Sequence, residues 1–196
     1  MTGFPRIARP APAPTIETDR LRLRPMRLAD WPPYRDAMTG THARHMGGPY
    51  PLAIAWGFFC SDVCGWDLTG AGALTVETRT GETVGQVGLN DLPSFPELEL
   101  GWMTYPGHEG RGYAAEAAAA LLDWTLDTVR PETLVSYVGA DNPASAAVAR
   151  RLGGQPDPEA PRPEAADLVF RHRCAEASYG TLTELRRNAH PGNPPR

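Results

Sequence analysis

The chain has 196 residues, 41% of them hydrophobic and 21% charged, with a formal net charge of −4. That balance suits one globular domain with its own core and offers no basic run for a nucleic-acid backbone. No apolar stretch approaches the ~20 residues that span a bilayer, residues 1–14 lack the apolar segment of a secretory signal, and Cys60, Cys64 and Cys174 have no paired spacing. The expectation is a cytoplasmic protein with free thiols and neither nucleic acid nor membrane as partner. All 19 basic residues are Arg, which reads as compositional bias, and a mildly acidic surface favours a cationic substrate such as an amine.

Proline clusters at Pro5–Pro14, Pro156–Pro163 and Pro191–Pro195. Lacking N–H groups for ladders or helices, these stretches predict a tail over residues 1–14, an internal loop and a C-terminal tail over 179–196, with a single domain over 15–178. Ile16 to Arg24 ends in apolar–polar alternation and reads as a half-buried strand stopped by Pro25. Asp30 to Met38 reads as a helix, Asp30 its N-cap and Pro32-Pro33 in its first turn. A loop through Gly47-Gly48-Pro49 leads to a second helix over Ala53–Leu68, with Trp56, Phe59, Cys60, Val63 and Cys64 near helical spacing and both cysteines read as core.

Three antiparallel strands are expected next, at Ala73–Arg79, Thr83–Leu89 and Glu97–Tyr105, with Thr80-Gly81 turning the first hairpin. Beyond the loop Glu109-Gly-Arg-Gly-Tyr-Ala114, residues Ala114, Ala117, Ala118, Leu121, Leu122 and Leu126 form a buried helical stripe. A strand at Thr133–Gly139, a helix at Asn142–Leu152 and a strand at Ala166–Arg173 complete the chain. Runs of strands between helices give an α+β, mixed-sheet domain.

The glycine loop joins a strand end to a helix start, where backbone N–H groups and the helix dipole attract an anion. A ligand-free turn is the alternative, since Pro106-Gly107 alone suffices for one. Gly110-Arg-Gly112-Tyr-Ala-Ala115 also fits a dinucleotide fingerprint. At least four strands precede it, however, and too little chain follows for two mononucleotide halves. A Walker loop is excluded because the chain has no Lys.

Four stretches, in order, carry a family resemblance: Glu17-Thr-Asp-Arg-Leu-Arg-Leu-Arg24, Glu99-Leu-Gly-Trp102, Gly110-Arg-Gly-Tyr-Ala-Ala-Glu-Ala117, and Asn142-Pro-Ala-Ser145 with Val148 and Leu152-Gly153. Over residues 16–174 the chain resembles the GNAT N-acetyltransferase superfamily, in its branch of ribosomal-protein N-terminal acetyltransferases and relatives. The resemblance implies a mostly antiparallel sheet splayed between its fourth and fifth strands, flanked by helices, with the pantetheine arm of acetyl-CoA in the gap. It implies coenzyme contacts from the backbone near Met103 and Thr104, from the loop residues Gly110, Arg111, Gly112, Tyr113 and Ala114, and from Asn142 and Ser145. Two positions and one segment depart from the family pattern. Glu109 replaces the Gln or Arg at the loop start and must turn outward; Ala149 stands where a Tyr often acts as general acid; Gly154–Glu164 replaces the start of a β-hairpin.

Acetyl transfer to an amine needs a neutral nucleophile and a proton for the leaving thiolate. Glu97 and Glu99 alternate on one strand face, and Glu99 is the candidate base, directly or through water; a solvated or ion-paired strand carboxylate is the alternative. Ser145 is the candidate proton donor to sulfur, or a coenzyme contact, or a first-turn hydroxyl beside the cap Asn142. Tyr105 and Tyr113 are further donor candidates, more often packing residues. His42 and His45 lack companions at ligand spacing, so no metal is expected and they read as solvent or substrate-loop histidines. Glu116 is assigned to the helix dipole alone. The expected function is acetyl-CoA-dependent acetylation of a primary amine, a protein N-terminus or a small molecule, by a monomer or homodimer. A non-catalytic coenzyme-A-binding or regulatory domain is the competing reading.

Overall fold

The structure is a computed structural model that describes residues 4–7 and 11–174; the expected tail over 179–196 lies outside them. The first alternating stretch folds as two strands, β1 (Ile16–Glu17) and β2 (Leu21–Pro25). Thr18 breaks it, because its Oγ1 accepts the Leu21 N–H at 2.9 Å while its own N–H bonds Leu21 O. Leu21 and Leu23 of β2 are fully buried. Of the expected N-terminal tail, Arg6 bonds Asp91 and the Phe95 carbonyl, and Ile7 enters the core.

α1 (Trp31–Thr39) carries Pro32-Pro33 in its first turn as expected. Asp30 makes no side-chain cap bond to it. Its carboxylate instead accepts from the Arg27 N–H, Thr75 Oγ1 and both terminal nitrogens of Arg24, each at 2.8 Å. Arg24 Nε bonds Glu77, also at 2.8 Å. Burial acts to raise the Asp30 carboxyl, but these bonds hold it below the usual range. A paired, buried network thus ties the sheet to the start of α1.

Where a loop was expected, Thr41–Met46 forms a 3-10 turn closed by Gly47 at φ +86. α2 (Leu52–Thr69) is apolar on all sides: Ala55, Phe59 and Trp66 are buried, whereas Trp56, Phe58 and Cys64 are exposed and Cys60 is intermediate. The cysteines are therefore not core residues, because the helix offers more apolar faces than the sheet covers. Asp62 turns inward and accepts from Tyr34 Oη at 3.0 Å, and burial pushes its carboxyl up to about 7. A carboxyl raised in the fold contributes full stability below its unfolded pKa and loses it as pH rises toward 7. Asp62→Asn keeps the Tyr34 bond and abolishes that loss. Its Tm is expected to exceed wild type by on the order of 5 °C at pH 8, with the gap closing toward pH 4, read by thermal denaturation.

β3 (Ala73–Thr78), β4 (Thr83–Asn90) and β5 (Glu99–Thr104) form an antiparallel meander. Then come α3 (Tyr113–Trp124), β6 (Val135–Gly139), α4 (Pro143–Arg151), β7 (Gln155–Pro156) and β8 (Asp167–Arg171). The eight-stranded sheet has the order β1-β2-β3-β4-β5-β6-β8-β7, every neighbour antiparallel except β5 and β6. Because the first strand is split, the expected splay between fourth and fifth strands falls between β5 and β6. The small residues of α3 let it lie close on one face, where Ala117, Ala118 and Leu121 meet Leu23, Val76, Val87 and Leu100. α1 and α2 cover the other face through Tyr34, Met38 and Phe59 against Met103 and Tyr105.

Candidate active site

β5 and β6 share one register pair, Glu99 with Val135, and then part. Backbone groups of a strand point alternately to its two neighbours. Leu98 O accepts from Val135 N and Leu100 O from Ser136 Oγ, so the groups of Leu98 and Leu100 face β6. By the same alternation Trp102 and Thr104 present their N–H and C=O to the splay, and Met103 turns its own to β4, where it pairs with Gln86. Near the expected Met103 and Thr104, the backbone that opens to the splay is that of Trp102 and Thr104, while the Met103 side chain packs under α1.

The splay widens into a cleft of about 760 Å³. Met103, Thr104, Gly110, Gly112, Tyr113, Ala114, Asn142 and Ser145 all line it, joined by Trp102, His42, Glu109 and Val148. Gly110 and Gly112 adopt φ +73 and +79, a left-handed conformation that glycine takes without strain. Among the described residues a Cβ at Gly110 would meet nothing within 4 Å, and one at Gly112 only Arg20 at 3.5 Å, so the backbone here lies open. The N–H groups at the start of α3 precede Glu116, whose own N–H is the one that bonds Gly112 O at 3.1 Å. Open N–H groups on a twelve-residue helix, beside a bare backbone, fit a diphosphate.

Arg111 does not line the cleft; its guanidinium folds back to Gly107 O at 3.2 Å. Arg20, assigned no role at the loop by any sequence motif, supports it instead. It bonds Arg111 O at 3.1 Å, stacks on Tyr113 and pairs with Glu116. Glu116 also accepts from Thr18 Oγ1 at 2.6 Å. It therefore ties the β1–β2 turn to α3 in addition to its place at the dipole. Glu109 is exposed, and its own backbone N–H, with that of Gly107, holds its carboxyl below the usual range. It faces His42 Nδ1 at 3.3 Å, while His42 Nε2 donates to Thr104 O at 2.6 Å. His45 Nδ1 faces Asp141 at 3.3 Å, so the 3-10 turn spans the cleft mouth from β5 to the β6–α4 loop. Among the described residues no group of His, Cys, Asp and Glu could hold a metal.

Asn142 caps α4, its Oδ1 accepting the Ser145 N–H at 3.0 Å, and so presents Ser145 to the cleft. Ala149 is fully buried against Val138 and Phe170, one residue on from the cleft-facing Val148 and so turned away from the cleft. A tyrosine at that position would enter the core. Tyr105 is likewise buried beneath α1, its hydroxyl pushed far up by burial, and takes no place in the cleft.

The two strand carboxylates separate. Glu97 lies before β5 and forms a two-pronged pair with Arg171 at 2.8 and 2.9 Å, which holds its carboxyl below the usual range. Glu99 is buried, accepts Asn90 Nδ2 at 2.6 Å and faces the Tyr137 N–H, and burial pushes its carboxyl up to about 7. It does not line the cleft. It lies four positions before Met103, about 13 Å along the strand.

Residues 20–155 match the family model of the acetyltransferase (GNAT) domain. The fold is similar to the crystal structure of an acetyltransferase from Agrobacterium tumefaciens strain C58, 54% identical, over 82% of this chain and 94% of that one, with a TM-score of 0.79. It is also similar to RimL, the ribosomal L7/L12 alpha-N-protein acetyltransferase solved with coenzyme A, at 16% identity over 84% of this chain and all of that one, TM-score 0.67. YkkB of Bacillus subtilis strain 168 is 34% identical over 79 residues, 39% of this chain. The match spans 46% of that protein's length, under half of it. No described helix is long and apolar enough to cross a membrane. With a splayed mixed sheet, a glycine loop opening α3 and a family match over well over half its length, the chain belongs to the GNAT acetyltransferase family.

Proposed function

We propose that this protein transfers an acetyl group from acetyl-CoA to a primary amine, a protein N-terminus or a small molecule, by direct attack of the amine on the thioester. The observation that carries the reading is the continuity of one cleft from the open N–H groups of the glycine loop to the splay. The N–H groups of Gly110, Arg111, Gly112, Tyr113 and Ala114 hold the diphosphate; the Arg111 side chain takes no part. Trp102 and Thr104 hydrogen-bond the pantetheine arm from the splayed edge, and Met103 fixes that edge by packing beneath it. Asn142 and Ser145 contact the coenzyme from α4. Bound acetyl-CoA supplies an activated acetyl thioester.

On the acceptor side, Glu99 is the base. With its carboxyl raised to about 7 and set back from the cleft, it takes the amine proton through ordered water rather than by contact. The Ser145 hydroxyl donates toward sulfur as thiolate leaves. The likeness to RimL makes protein N-termini the first acceptors to try, and a cytoplasmic monomer or homodimer is the proposed setting.

Acetyl-CoA at a hundred times its Kd is expected to raise Tm by roughly 5–10 °C, since it binds only the folded loop, while NAD and NADP leave it unchanged. Free-thiol release across N-terminal peptides, polyamines, amino acids and aminoglycosides then identifies the acceptor. Stabilisation by a dinucleotide and not by acetyl-CoA would sink the reading. Binding of acetyl-CoA without transfer to any acceptor class would make the domain a non-catalytic module.

A further inference from the structure

Polar side chains stand at the rung where β5 and β6 part. Val135 N bonds Leu98 O at 3.0 Å, and in a regular parallel ladder the next bond on that side would run from Tyr137 N to Leu100 O. Here Leu100 O accepts from Ser136 Oγ at 2.6 Å instead, and the Tyr137 N–H faces the Glu99 carboxyl. Ser136 has one hydroxyl hydrogen, committed to Leu100 O, so at its 3.0 Å contact with His172 it accepts from Nε2–H. That fixes the tautomer and leaves Nδ1 without a partner among the described residues.

Both residues lie in the core, Ser136 at 1% and His172 at 3% exposure. Burial lowers the imidazole to about 4, so it stays neutral and the chain of donors keeps its direction. The residue is itself held: His172 N bonds Leu134 O at 2.9 Å, and Gly154 leaves room for the ring, since a Cβ there would stand 3.3 Å from His172 Cε1. An apolar pair would fill this space without an orphaned nitrogen, so the polar pair is a poor device for stability. What it does accomplish is to occupy Leu100 O, the acceptor β6 needs to zip one rung closer to Trp102.

We propose that Ser136 and His172 are a positioning pair that halts the β5–β6 ladder at Glu99 and Val135, holding the splay open to the width the pantetheine arm requires. The inference rests on the reading of the splay as the coenzyme site. Neither residue touches the reacting atoms; they act through the β5 edge, whose open groups are those of Trp102 and the Thr104 N–H, His42 Nε2 holding the Thr104 carbonyl.

The test is Ser136→Val, which removes the hydroxyl, suits a strand and frees Leu100 O for Tyr137. The expected result is an unchanged or higher Tm, stronger protection of the Tyr137 amide from hydrogen exchange, and acetyl-CoA Kd and KM weakened about tenfold or more, with kcat at saturating acetyl-CoA within about twofold. Ser136→Thr, which keeps the hydroxyl, and His172→Gln, which keeps a donor, should retain binding near wild type. A lower Tm with unchanged Kd in Ser136→Val would overturn the proposal and make the pair a stability element. Should that variant not fold, Ser136→Ala is read by the same criteria. If wild-type protein binds no acetyl-CoA, the coenzyme reading fails on its own. The halted ladder is then judged by Tyr137 exchange in the free protein, where equal protection in wild type and variant overturns it.

Discussion

Replacing Gly112 with valine is expected to weaken acetyl-CoA binding about 100-fold, because two effects act on the same few N–H groups. Gly112 sits at φ +79, where a β-branched residue is strained by roughly 1–3 kcal/mol and the loop escapes by rotating its peptide planes. Rotation turns the N–H groups of Gly112 and Tyr113 away from the anion, and charge-assisted bonds of this kind are worth about 1.5–3 kcal/mol each. The added side chain also meets Arg20, whose guanidinium lies 3.5 Å from a Cβ at this position and supports the loop through Arg111 O. Gly112→Ala should fall between the two, having strain without bulk. Calorimetric titration with acetyl-CoA, alongside thermal denaturation of the free protein, separates loss of the site from loss of the fold. A folded Gly112→Val protein with wild-type affinity would remove the loop from the site.

Period and punctuation made most elements legible before the structure. The small-residue stripe of α3 predicted a helix lying close on the sheet, and Ala117, Ala118 and Leu121 are buried there. The glycine loop was legible because its chemistry is local: two closely spaced glycines between a strand and a helix. What was not legible depends on register or on distant partners. Which strand residues open their backbone to the splay follows from the pairing of Gln86 with Met103, and no local pattern distinguishes Met103 from Trp102. Ala149 differs from the cleft-facing Val148 by one step of a helix, a 100° error that position counting cannot detect. By alternation Glu97 reads on the same strand face as Glu99, and its partner Arg171, 74 residues later, could not be foreseen from local pattern. The 3-10 turn at Thr41–Met46 has no periodicity to read, yet it brings His42 to Thr104 O.

Glu99→Gln is the substitution expected to cost most turnover, about 10²–10⁴-fold at neutral pH if Glu99 relays the amine proton. Gln keeps one oxygen for the Tyr137 N–H, and Asn90 can turn its amide so that Oδ1 accepts from the new NH2, so the β5 edge and coenzyme affinity should survive. The pH profile carries the argument. A base must be ionised, so wild-type kcat/KM should fall as pH drops below about 7, the value to which burial raises this carboxyl, and that limb should vanish in the variant. Some activity should return at high pH, where the amine is already neutral. An α-amine, with its pKa near 7.7–8.0, should recover earlier than a lysine side chain near 10.4. Stability runs the other way and supplies the control. A carboxyl raised in the fold contributes fully below its unfolded pKa and loses that contribution as pH rises toward 7. The neutral Gln escapes this loss, so the variant should be at least as stable as wild type at pH 8. Lost turnover in a protein of equal or higher Tm then reports on chemistry. Wild-type rates for Glu99→Gln with the best acceptor across the whole range would leave Glu99 a structural acceptor for Asn90 and Tyr137. Deprotonation would then pass to water held by the splayed backbone.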